Sequence, residues 1–119
     1  DVQARKSLEE ALSCKPPKGV EQATRALKIS PPRTSDEFAT APPGLTVFGL
    51  PVAGVSMSPD GDDGFYQTWF ASEVTLSQLN RVASLKTGKS REFKLPGGKF
   101  ATLNANVQNF AVVLNCTIN

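Results

Sequence analysis

The last ten residues of the chain alternate. Phe110, Val112, Leu114, Cys116 and Ile118 fall on one side, and Ala111, Val113, Asn115, Thr117 and Asn119 on the other. A two-residue period with one apolar face is the pattern of a half-buried strand. At the opposite end the period is helical. Ala4, Leu8, Ala11 and Leu12 share a stripe, and Cys14 follows three residues after Ala11 on the same stripe. Ser7-Leu8-Glu9-Glu10 has capping-box spacing, so this helix starts either there or at Val2. Pro16-Pro17 ends it by Lys15. Val20, Ala23, Thr24 and Leu27 predict a second helix over about 20–29, closed by Ser30-Pro31-Pro32.

The middle of the chain changes character. Residues 30–44 read as a loop with two Pro-Pro pairs and a local turn or one-turn helix at Thr34–Glu37. Leu45–Phe48 and Val52–Met57 are rich in strand formers, with Pro51 between them predicting a bulge or an edge. Ser58–Gly64 is a turn cluster, and Phe65–Phe70 is the most aromatic strand. Aromatics on both of its sides predict a central strand buried on both faces. Thr75-Leu76-Ser77-Gln78 is a second capping box, opening a short helix within 75–86. Arg91–Leu95 alternates, Pro96-Gly97-Gly98 turns, and Lys99–Val107 with Phe110–Asn119 form a terminal hairpin turning near Gln108-Asn109.

Helix, helix, strands, helix, strands with short connections predicts an α+β fold. An antiparallel sheet of about five to six strands would be packed by two N-terminal helices and one short middle helix. At 119 residues this is a single domain: a helical hairpin at 2–29, a loop at 30–44 and a sheet region at 45–119. No stretch approaches the roughly 20 apolar residues of a membrane-spanning helix.

Cys14 and Cys116, the two cysteines of the chain, each lie on the apolar face of their segment, and the expectation is a disulfide. It would close a loop of about a hundred residues, for which chain entropy gives roughly 4–5 kcal/mol. Such a bond implies an oxidising compartment. Met57 is the single methionine and the N-terminus is polar. The expectation is a periplasmic or secreted chain whose signal peptide has been removed.

The net charge of +2 hides a strong asymmetry. Residues 34–80 hold Asp36, Glu37, Asp60, Asp62, Asp63 and Glu73 and no Lys or Arg, whereas 81–119 hold six cations against Glu92. The expectation is that the two blocks mix on folding and screen one another. If they segregate, the acidic loops at 36–37 and 60–63 and the basic turn of Lys86, Lys89 and Arg91 become the polar contact surfaces.

Catalytic chemistry finds little to use. The chain has no histidine, which removes the commonest general base and nitrogen ligand. Asp60-Gly61-Asp62-Asp63-Gly64 has the composition of a calcium loop, but Gly64, Phe65 and Ala71 stand where an EF-hand needs a ligand, a glycine and a glutamate. Gly88-Lys89-Ser90 has no glycine five positions before Gly88 and follows a helix, so it is no phosphate loop. Lys86-Thr87-Gly88 matches a β-lactamase element, without the Ser-x-x-Lys that would supply the nucleophile. Asn115-Cys116-Thr117 is a formal glycosylation sequon. Basic residues 81–99 lack interleaved exposed aromatics, which argues against nucleic acid. The reading is a non-catalytic, monomeric binding domain without a cofactor, acting on a protein or cell-envelope partner in the manner of an inhibitor or immunity protein. The alternative is a carboxylate-dependent metal or small-ligand protein, or an enzyme, built on Asp60, Asp62, Asp63 or Glu73.

Overall fold

A computed structural model of the chain describes residues 1–30 and 38–119. The fold is α+β: among the described residues, three helices lie on one face of a seven-stranded antiparallel sheet. The elements run α1 (Val2–Leu12), α2 (Val20–Ala26), β1 (Ala39–Thr40), β2 (Thr46–Val47), β3 (Leu50–Asp60), β4 (Asp63–Phe70), α3 (Leu76–Val82), β5 (Arg91–Leu95), β6 (Lys99–Gln108) and β7 (Ala111–Ile118). The sheet order is β1-β3-β4-β7-β6-β5, with β2 pairing the same edge of β3 beyond β1. The strand beyond the expected five or six is β1, two residues within the stretch read as a loop, whereas β2 falls within the expected Leu45–Phe48. Pro51 leaves β3 intact, and the register shifts at a bulge between Val52 and Gly54. The expected turn at Thr34–Glu37 lies outside the described residues.

Helix ends follow local chemistry. Asp1 caps α1 by accepting the Ala4 N–H at 3.0 Å, so the helix runs from Val2 and the Ser7–Glu10 spacing sits unused inside it. Thr75 and Gln78 make both arms of their capping box. All three helices close with one residue in the left-handed region: Cys14 (φ 67°), Lys28 (φ 56°) and Ser84 (φ 57°). In each case the next N–H reaches back five residues, Lys15 to Glu10, Ile29 to Thr24 and Leu85 to Asn80. This corrects the placement of Cys14 on the helical stripe. The helix stops at Leu12, and the left-handed turn, not helical periodicity, aims the sulfur inward.

It meets Cys116. The disulfide joins residues 102 positions apart with a Cα–Cα separation of 5.5 Å, and both cysteines are fully buried. It fastens the turn that follows α1 to β7, two residues before that strand ends. Around it lie Leu8, Leu12, Tyr66, Leu79, Leu103, Leu114 and Ile118 as one contiguous core. A second tether holds α1 to β2, where the Glu9 carboxylate accepts the Thr46 N–H at 2.9 Å.

Three hairpin turns set the two ends of the sheet. Gly61-Asp62 joins β3 to β4 with Gly61 at φ 60°. Phe48-Gly49 joins β2 to β3 and Asn109-Phe110 joins β6 to β7, each with both central residues at positive φ, the signature of a type I′ turn. A side chain in this region costs roughly 1–2 kcal/mol. Phe48 offsets that by packing against the core, but Phe110 projects into solvent, 103% exposed. This corrects the expectation that Phe110 continues the apolar face of the last strand. The strand begins at Ala111, and Phe110 belongs to the turn.

Candidate binding surfaces

The sheet has two unlike faces. On the helix side, Val55, Tyr66, Thr68, Phe70, Leu103, Leu114 and Cys116 are buried. On the other side lie Ser56, Phe65, Gln67, Trp69, Thr102, Asn104, Asn106, Val113, Asn115 and Thr117, and none of the three helices covers them. β4 is therefore central, but it is fully buried only toward the helices. On the other side Phe65 is 37% exposed and Gln67 half-buried.

A row of amides crosses this helix-free face. Gln67 Nε2 donates to Asn115 Oδ1 at 2.8 Å, and Asn115 Nδ2 donates to Asn104 Oδ1 at 2.9 Å and to Asn106 Oδ1 at 3.2 Å. Gln108 Nε2 completes the row on Asn106 Oδ1 at 3.1 Å. The register places these residues side by side, Gln67 opposite Asn115 and Asn115 opposite Asn104. Asn115 is 9% exposed and spends both its donors and its acceptor within the row. Its sequon therefore presents no accessible amide in the folded chain. The outer members keep unused groups among the described residues: the Nδ2 of Asn104 and Asn106 donates nowhere, and the Oε1 of Gln67 accepts nothing.

Aromatic rings flank the row. Phe65 and the 53% exposed Phe100 lie on one side. On the other, Phe38 stacks on Trp69 with centroids 5.0 Å apart and planes 25° off parallel. Phe38 lies flat on Gly54, where a Cβ would stand 1.8 Å from its ring. The ring covers Trp69, which is 4% exposed with its indole N–H unpartnered among the described residues.

The acidic turn and the basic turn sit apart. Asp60 and Asp62 are exposed at the β3–β4 turn, and Asp63 pairs with Lys99 at 2.6 Å. That hydrogen bond raises the Lys99 ammonium above its ordinary range. The expected mixing of the charge blocks thus holds at this contact. Among the described residues no three His, Cys, Asp or Glu side chains converge on a metal position. Lys86, Lys89 and Arg91 are exposed where the chain leaves α3 and opens β5. Arg91 lies over the Phe93 ring at 5.1 Å. They remain apart from the acidic turn, because Arg91 faces Leu103 midway along β6 whereas Lys99 opens that strand. Asp36 and Glu37 lie outside the described residues.

Beneath α2, Tyr66 is 1% exposed and its hydroxyl has no partner among the described residues. Burial, and then the Glu21 carboxylate, push its ionisation above the usual value near 10. The neutral phenol is favoured in the folded chain, so its contribution to stability is complete below pH 10 and is lost as the pH climbs through the raised folded value. Tyr66→Phe is expected to leave stability at pH 7 unchanged or higher by up to about 1 kcal/mol, since it removes a buried unpaired group. It should also flatten the alkaline limb. Urea midpoints from pH 7 upward measure both, and a marked loss of stability at pH 7 would show that the hydroxyl is bonded.

The amide row was missed in the sequence. Its signal was the polar face of two alternating strands, Asn104/Asn106 and Asn115, but only the register brings them into line. In comparisons with protein families, with curated proteins and with solved structures, no match to this chain was found.

Proposed function

We propose that the chain is a non-catalytic binding domain that engages a protein partner in an oxidising, extracytoplasmic compartment through the helix-free face of its sheet. The amide row carries this reading. Asn115 fixes its neighbours in place, so the free donors of Asn104 and Asn106 and the free acceptor of Gln67 are oriented before a partner arrives. Pre-ordered polar groups bind without the entropy cost of immobilising flexible ones. Phe65 and Phe100 add apolar area beside them, the mix of ring and amide that recognition surfaces use. The buried disulfide supports the compartment, because such bonds persist where thiols are not kept reduced. A metal or catalytic site at 60–63 is less well supported, because Lys99 occupies the Asp63 carboxylate.

The test is affinity capture from cell-envelope extract, wild type against Asn104→Ala/Phe100→Ala. Both residues are at least part-exposed, so the variant should melt within a few degrees of wild type. Retention of a protein by the wild type and its loss by the variant is the expected result. Equal retention by both would remove the face from consideration.

A further inference from the structure

The hairpin tip at Asn109-Phe110 contradicts the rest of the fold. Every other large aromatic is at least part-covered, while Phe110 is 103% exposed and occupies a backbone conformation that favours glycine. Left-handed strain with no packing in return points to a use outside the folded chain. Val107, two residues before the turn on β6, is 55% exposed, and Val82 on α3, a helix that packs against β6, is 42% exposed. This end of the sheet is opposite the acidic turn: β4 meets β3 at Asp60–Asp63, pairs with β7 from Gly64–Ile118 to Trp69–Val113, and the β6–β7 turn continues beyond. The stretch from the last turn of α3 to the first residue of β5 carries Arg81, Lys86, Lys89 and Arg91, all exposed, with no Asp or Glu between 81 and 91.

We propose that this end of the domain docks on an anionic lipid surface, with Phe110 inserting at the headgroup level and the 81–91 cations meeting the headgroups. The shape and the size of the patch select this occupant. The apolar element is a single projecting ring with two valines, far below the roughly 800 Å² per partner of a stable protein interface. A lipid surface needs no preformed socket for a projecting ring, and it adds attraction for every cation near it. Binding is therefore weak, reversible and salt-sensitive. This inference is independent of the helix-free face, which involves other residues.

Cosedimentation with phosphatidylcholine vesicles, with and without phosphatidylglycerol, tests it. Wild type should pellet with the anionic vesicles only, and less as salt rises. Phe110→Gly relieves the turn, so it should melt a few degrees higher and yet bind at least about tenfold more weakly. Lys86→Glu/Lys89→Glu/Arg91→Glu should not bind. In Phe110→Trp the new indole should shift blue on vesicles and be quenched by brominated acyl chains. The proposal fails if wild type does not pellet, if Phe110→Gly binds as well as wild type, or if the indole at 110 reports no change. Capture of an acidic protein through Phe110, without vesicle binding, likewise overturns the lipid assignment.

Discussion

Replacing Cys14 and Cys116 together by alanine is expected to lower the melting temperature by roughly 10–20 °C, the equivalent of about 2–5 kcal/mol in a domain of this size. The bond spans 102 residues, nearly the whole chain, so its loss frees almost the entire unfolded ensemble from one constraint. Both sulfurs also sit in the core, and two alanines leave the space of two sulfur atoms in a cluster that includes Leu8, Leu12 and Leu114. The two effects act in the same direction. Reductant alone should act slowly on the native protein, because neither sulfur is exposed, and should act quickly once the chain unfolds. Thermal melts of the double variant, with alkylation and intact mass on the wild type, measure this. A shift of only a degree or two would mean that the core holds α1 to the sheet without the bond.

How far the sequence could be read depends on whether the signal was local. The α3 capping box is complete within four residues, and it formed as read. The equivalent spacing at Ser7–Glu10 did not cap α1, because Asp1 offers its carboxylate one turn and a half earlier and the apolar stripe runs through both. The disulfide was legible from two apolar patterns, although Cys14 is turned inward by left-handed backbone and not by the helix. Phe110 misled because alternation has no means of marking where a strand yields to a turn. An Asn-Gly pair would have marked it, and this chain places phenylalanine there. The charge blocks were plain in the sequence, but which members meet was not: Asp63 finds Lys99 because β4 and β6 both start beside the end of β7, at one end of the sheet. The amide row and the Phe38–Trp69 stack rest on registers and on a residue 31 positions away, and no periodicity carries that information.

That stack sets the second large expected effect. Gly54→Ala is expected to destabilise the domain by about 1–3 kcal/mol, the range for forcing extra volume into a packed site. The added methyl would stand 1.8 Å from Cδ2 of Phe38 and 2.4 Å from Cε2, so the ring cannot stay where it is. No backbone penalty contributes, because Gly54 does not have a positive φ. Expelling Phe38 uncovers Trp69, whose emission should shift red, and opens the helix-free face beside Val113, the neighbour of Trp69 on β7. The double variant Phe38→Ala/Gly54→Ala separates this cause from any other. With the ring gone the three atoms nearest the methyl are gone with it, so the double variant should be no less stable than Phe38→Ala alone, giving a coupling energy close to the whole cost of Gly54→Ala. Urea unfolding of wild type, both single variants and the double variant closes the cycle. Additive losses would show that Gly54 is required by the β3 bulge it adjoins, and that the aromatic stack is only a neighbour of that requirement.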